Sequence, residues 1–336
     1  MRVVLATHDV ALEHDTGFGH PERAARVPAV LEGIRGAGLP LVELTAPLAG
    51  TELLTLIHAP AYVAALERFC ASGGGALDAD TVARRASWEA AVRSAGAGPA
   101  AIDALRRGEG DVAFVVMRPP GHHALPDRAM GFCLFNNVAI SARSLTEDGR
   151  RVAIVDWDVH HGNGTQDVFY EDPDVLYISM HEFPAYPGTG WYTETGAGHG
   201  AGANLNFPWP TGTAGSTYRW TVEHAIRPIL DQYQPDWLLI SAGYDAHAAD
   251  PLAGIRLAAN DYAFMAGRLA GAVPPGRTVL FLEGGYDLAA LRDSAAATVH
   301  GLADGAVEGA PMSPGGGAPE HMAMAVVREA SRFWDL

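Results

Sequence analysis

Short apolar, β-branched runs alternate along this chain with longer alanine-rich segments. The apolar runs predict strands near 2–6, 111–117, 151–155, 175–180, 236–242 and 277–282. The alanine-rich segments predict helices over 21–35, 60–71, 87–107, 134–147, 215–233, 260–271 and 287–302. Strand and helix in alternation point to an α/β fold with a largely parallel sheet flanked by helices. Gly73-Gly74-Gly75 and the glycine-rich stretch 187–202 read as loops, and Ser-Pro-Gly-Gly-Gly-Ala-Pro at 313–319 reads as a flexible link before a last helix. No internal repeat divides the chain. The expectation is therefore one domain, with 1–312 as its catalytic body and 313–336 as a link and closing helix of the same unit.

The polar residues that follow the strands carry the stronger argument. Five of the runs lead directly into chemically equipped segments: Arg118-Pro119-Pro120-Gly121-His122-His123, Asp156–Thr165, Met180-His181, Ala242–His247 and Glu283-Gly284-Gly285-Tyr286. Ligands of open α/β sheets bind outside the carboxyl ends of the strands, so five such loops at one edge predict a site there.

Composition narrows what that site acts on. The 336 residues are 48% hydrophobic and 18% charged, and the mean hydropathy of +0.04 is that of an ordinary globular chain. The formal charge of −16 disfavours nucleic acid and anionic membranes as partners and suits cationic substrates such as basic peptides or polyamines. An acidic surface also serves solubility alone. Two cysteines, Cys70 and Cys133, give no disulfide framework. The first residues are too short and polar for a signal peptide and no apolar stretch reaches a membrane span, so a cytoplasmic protein is expected.

Asp156, Asp158 and His160 alternate at the end of a strand, which puts them on one side of an extended chain. Two carboxylates and an imidazole converging on one spot repel and lose solvation unless a cation joins them. Asp158, His160 and Asp245 are the expected metal ligands, leaving an open position for water and substrate as catalytic zinc sites do. Taken singly, an Asp after a strand is as readily a cap or turn residue. Asp156 is either a fourth ligand or, preferably, the partner that holds a catalytic histidine in one tautomer. Ser179 is a further candidate, with Asp156, around a monovalent cation.

His122 and His123 follow a tight Pro-Pro-Gly turn and can share base and acid duties near neutral pH. Asp156 and Asn163 are natural orienting partners, one for each ring. The alternatives for the pair are a surface loop or metal ligation. Tyr286, after two glycines, can offer its phenol to a developing oxyanion, or be a buried tyrosine with a satisfied hydroxyl. Gly131-Phe132-Cys133 and Tyr186–Gly190 put aromatic rings beside glycine turns, which would form either a slot for an aliphatic chain or ordinary core. His247 and Asp250 read as loop support.

With these residues assembled, the chain resembles the histone deacetylase family, including acetylpolyamine amidohydrolases and bacterial deacetylase-like amidohydrolases. The matching stretches are His14–Arg23, Arg118–Ala124, Gly131–Asn137, Asp156–Gln166, Pro187–Gly190, Ser241–Pro251 and Leu282–Leu288. Asn163, where class I members carry Asp, resembles the class II branch. The resemblance implies an arginase–deacetylase α/β fold and zinc at Asp158, His160 and Asp245. It makes His123 the general base and then acid, His122 an electrostatic partner paired with Asp156, and Tyr286 the oxyanion donor. It implies an acyl-lysine tunnel walled by Gly131, Phe132 and Tyr186, and potassium near Asp156, Ser179 and Met180 with the backbone of Asp158 and His160. Asp80 or Asp78 would bind the substrate backbone. Leu252 stands where polyamine-selective relatives can carry an acidic gatekeeper, which favours an acyl-lysine side chain or another neutral-entry substrate; acetylated lysine side chains or acetylated small amines are the implied substrates.

Two other functions remain in view. A ureohydrolase with two manganese ions would need a second ligand set around His247 and Asp250, and the partner positions are Gly, Tyr and Ala. A non-catalytic acyl-lysine binding module would have no use for His122, His123 and Tyr286 together. The loop around 10–25 either contributes to a homodimer contact or shapes the pocket rim.

Overall fold

The computed structural model describes residues 1–305 and 312–336; residues 306–311, inside the expected catalytic body, lie outside the described residues. Among the described residues ten strands occur in chain order: β1 Val3–Thr7, β2 Leu41–Thr45, β3 Gly74–Ala76, β4 Val82–Arg84, β5 Val112–Val115, β6 Val152–Asp156, β7 Val175–Glu182, β8 Asn204–Trp209, β9 Trp237–Ala242 and β10 Thr278–Leu282. Eight form one sheet in the order β2-β1-β5-β10-β9-β6-β7-β8, and β3 with β4 make a small separate ribbon. Every pairing in the large sheet is parallel.

The five strands that lead into polar segments, β5, β10, β9, β6 and β7, are consecutive across the middle of this sheet. All their residues are buried, as a parallel sheet covered on both faces requires. The chain builds outward from β1, jumps over two places to β6, and later returns to insert β9 and β10. That late insertion brings Asp245 and Tyr286 between the histidine loop and the Asp156–Thr165 segment. The helix Ser87–Arg106 packs on β1, β5 and β10, and the helices Arg26–Gly36, Leu288–Asp304 and Ala259–Ala270 pack in succession.

Some elements differ from expectation. The helix expected from residue 21 starts at Arg26, because Glu22 turns its carboxylate inward to two arginines. The stretch 215–233 is helical throughout but widens by a π-type turn over Val222–Ile226, just before Pro228. Strands β2 and β8 carry no strong sequence signal: β2 is a half-exposed edge, and β8 contains two asparagines and Pro208, which only an edge strand accommodates. The closing helix Ala318–Ala330 lies along β8 and buries Ala323, Val326 and Ala330 in the main core. Among the described residues no helix is long and apolar enough to cross a membrane.

Candidate active site

Strand geometry stops at Asp156, the last residue of β6, so Asp156, Asp158 and His160 do not stand on one face of an extended chain. The turn that follows swings Asp158 and His160 towards Asp245, which lies beyond the neighbouring strand β9. The donor atoms of Asp158, His160 and Asp245 come within 4.8 Å of one another. His160 Nδ1 sits 3.2 Å from Oδ1 of Asp158 and 3.2 Å from Oδ2 of Asp245. Backbone amides fix both carboxylates: Val159 N–H donates to Asp245 Oδ1 at 2.8 Å and Gly284 N–H to Asp158 Oδ2 at 2.7 Å. Any side chain at Gly284 would collide with these same carboxylates, which accounts for the glycine after Glu283.

Burial disfavours charge on His160, yet hydrogen bonds to Asp158 and Asp245 hold its proton affinity well above the usual imidazole value. The two carboxylates thus demand a positive charge at this point. Two oxygens and one imidazole nitrogen, with His160 reaching the cavity, fit a divalent cation with an open position. Asp156 stands apart from that trio. Its Oδ2 accepts from His122 Nδ1 at 3.0 Å and from the Tyr177 hydroxyl at 3.1 Å. Of its two expected roles, the geometry is that of the histidine partner.

The paired imidazoles are electrically distinct. Burial opposes protonation of His122, but Asp156 and Asp158 outweigh it and push its pKa up to about 10. Burial, and next the His122 charge, hold His123 well below the ordinary value. One ring is a fixed cation and its neighbour, with ring centroids 4.0 Å apart, is neutral. His123 Nδ1 donates to Asn163 Oδ1 at 2.8 Å, which leaves Nε2 as the free lone pair. The arrangement suits one proton acceptor beside one permanent positive charge.

These groups face a cavity of about 230 Å³, lined also by Gly131, Phe132, Tyr186, Leu252, Asp80 and Tyr286. Phe132 adopts φ 67°, an uncommon region for a non-glycine residue, and its N–H is held by Thr81 Oγ1 at 3.1 Å. Its ring meets Tyr286 edge-on at 6.1 Å, while Tyr186 meets His123 edge-on at 5.1 Å. A side chain at Gly131 would strike the His123 ring. Burial, then Asp245, hold the Tyr286 phenol well above its usual pKa, so it keeps its proton as a donor. Leu252, 46% exposed, and Tyr186, 37% exposed, form the rim. Of the two acidic candidates at the mouth, Asp80 lines the cavity, whereas Asp78 is used in the turn, accepting the amides of Asp80 and Thr81. The loop around 10–25 reaches the rim through His20, whose ring lies 4.7 Å from Phe132 and whose Nε2 meets Asp80 O at 3.0 Å.

The other candidates are engaged elsewhere. Ser179, in register with Asp156, places its hydroxyl 2.9 Å from His181 Nδ1, and Met180 is buried in the core. Asp250 accepts the Tyr286 amide at 2.7 Å and the Leu252 amide at 2.9 Å, so it supports both the phenol and the rim. His247 accepts from Ala249 N–H at 3.1 Å. Neither belongs to a metal-binding group among the described residues, which leaves the dinuclear ureohydrolase reading without its second ligand set.

Two features escaped the sequence reading. Glu22, Arg26 and Arg118 form a fully buried ion cluster; Arg26 carries the Gly285 carbonyl and lies 5.1 Å over the Tyr286 ring. In the sequence only Glu22, in the His-Pro-Glu-Arg string at 20–23, and Arg118, ahead of the histidine pair, fall in the motif stretches. Glu283 is buried beneath the histidine loop, where burial pushes its carboxyl up to about 7.

The sequence pattern of the histone deacetylase domain matches residues 20–302. Histone deacetylase 14, chloroplastic, of Arabidopsis thaliana is 41% identical over 312 residues, covering 84% of this chain and 73% of its own length. The histone deacetylase-like amidohydrolase of Pseudomonas aeruginosa is 38% identical over 272 residues, covering 79% and 71%. The crystal structure of the HDA15 HD domain superposes with a TM-score of 0.92 at 32% identity, covering 99% of this chain and 95% of that one. The chain belongs to the histone deacetylase family, a family of amidohydrolases.

Proposed function

We propose that this protein is a zinc-dependent hydrolase that removes acetyl groups from N-acetyl-lysine side chains or related acetylated amines. The observation that carries the reading is the meeting of three metal-type donors, a neutral and a charged imidazole, and a protonated phenol around one narrow cavity. A divalent metal at Asp158, His160 and Asp245 would supply Lewis acidity to the acetyl carbonyl and to water. The remaining chemistry belongs to the chain. His123 accepts a proton at Nε2 as water adds to the carbonyl carbon, with Asn163 holding the ring. The Tyr286 phenol donates to the oxygen that gains negative charge, and the fixed charge of His122 stabilises it further. His123 then returns its proton to the amine nitrogen as the C–N bond breaks, giving acetate and free amine.

Gly131, Phe132 and Tyr186 would enclose the alkyl chain, Asp80 would face the substrate backbone at the mouth, and the neutral rim residue Leu252 favours an acyl-lysine side chain over a polyamine. Potassium beside Asp156, Ser179 and Met180, with the backbone of Asp158 and His160, is part of the same proposal. The test is acetate release from an acetyl-lysine peptide and from N-acetylputrescine by zinc-loaded protein. Faster hydrolysis of the peptide is expected. Preference for the putrescine would overturn the reading of Leu252, and no release from either would overturn the deacetylase assignment.

A further inference from the structure

We propose that Glu283 is a positioning residue for the reaction, setting the placement of the His122–His123 pair relative to Tyr286; the inference rests on the deacetylase reading above. Glu283 is the first residue beyond β10 and is wholly buried. Its Oε2 accepts the backbone N–H of Gly121 at 2.7 Å and that of His122 at 3.2 Å, and its Oε1 accepts the Ser241 hydroxyl at 3.3 Å. Buried amides left without partners are costly, so this carboxylate answers a demand that the loop cannot meet alone.

The rest of the histidine loop is held from other sides. Pro119 O accepts from Ser94 and Asn137, and His122 O accepts from Thr165 N–H at 3.2 Å. Gly121 has no room for a side chain against Asn137 and Phe135. Glu283 supplies the attachment to β10, the strand that continues through Gly284 and Gly285 into Tyr286. One side chain therefore ties the segment bearing the proton acceptor to the segment bearing the oxyanion donor. Its carboxylate lies within 4.8 Å of donor atoms of His122 and Cys133, but it neither lines the cavity nor belongs to the Asp158–His160–Asp245 trio. Its effect should appear in the catalytic step and not in substrate or metal binding.

The test compares zinc-loaded wild type, Glu283→Ala, Glu283→Gln and Glu283→Asp on an acetyl-lysine peptide, with zinc content and melting temperature measured for each. The alanine variant is expected to lose ~10–100-fold in kcat with KM and zinc content little changed, the scale for misplacing catalytic groups by about 1 Å. Glutamine keeps an acceptor for Gly121 and should restore kcat to within about threefold of wild type. Should the alanine variant not fold, aspartate, too short to reach the loop amides, carries the test with the same expected fall in kcat. Unchanged kcat in alanine or aspartate, or failure of glutamine to rescue, would overturn the proposal. An inactive wild type would instead refute the deacetylase reading on which it rests.

Discussion

Replacing Tyr286 by Phe isolates one hydroxyl. The ring is 8% exposed and stays in place in the variant, because its edge contact with Phe132 and the Arg26 guanidinium 5.1 Å above it involve only carbon atoms of the ring. Fold and metal site should therefore survive. What disappears is a phenol whose proton is retained at all working pH values. Removing one oxyanion donor costs about 10²–10³-fold in rate, or about 2.7–4 kcal/mol of transition-state stabilisation. The charge on His122 would remain to stabilise the same oxygen, so some activity should persist. Because the donor acts on charge that develops during reaction, kcat should fall and KM should change little. Steady-state kinetics on an acetyl-lysine peptide, with zinc content by elemental analysis, measures both. A zinc-replete variant with kcat within about threefold of wild type would remove Tyr286 from the mechanism.

Further expectations concern other parts of the molecule. His123→Ala should lower turnover by about 10²–10⁴-fold, the range for losing a general base, with normal zinc content; full activity would sink that assignment. Leu252→Glu adds an acid to the exposed rim and should raise the ratio of N-acetylputrescine to peptide hydrolysis, and an unchanged ratio would show that the rim does not select substrate. Glu22→Gln leaves Arg26 and Arg118 buried without their counter-charge and should cost about 3–5 kcal/mol, read as a large drop in melting temperature. Acid should destabilise the fold in stages. Burial holds His14 and His58 at about 4, so the unfolded chain binds more protons than the folded one between pH 6.5 and 4. Stability is then lost as pH falls through that window, by about 3 kcal/mol for each histidine. Burial works against the Glu22 anion, but Arg118 and Arg26 bring it down to about 2, so its contribution is lost lower still, from pH 4.5 towards 2. Urea midpoints that stay constant from pH 7 to 4 would refute this.

The site was legible in the sequence because its strands are central. Buried on both faces, β5, β6, β7, β9 and β10 read as largely apolar runs with chemistry at their carboxyl ends, although β7 runs on through Ser179, Met180 and His181 to Glu182. Edge strands obey weaker rules, and β8, with Asn204, Asn206 and Pro208, gives almost no strand signal. The alternation of Asp156, Asp158 and His160 does not survive in the fold: the strand ends at Asp156, and a turn brings Asp158 and His160 to Asp245. What stayed hidden are charges whose partners are far away in the chain. Glu22 meets Arg118 across 96 positions, and Glu283 meets Gly121 across 162. No local pattern marks a buried carboxylate whose partner is a loop amide; only the folded sheet brings the two together.

One metal at Asp158, His160 and Asp245 is proposed to make this chain an amide hydrolase. That role is tested most directly by stripping the protein with a chelator and titrating zinc back while following acetate release from an acetyl-lysine peptide. Stripped protein should release no acetate, and recovery should saturate at one zinc per chain, with Asp245→Ala failing to recover. Equal release with and without metal, or none at full zinc loading, would contradict it.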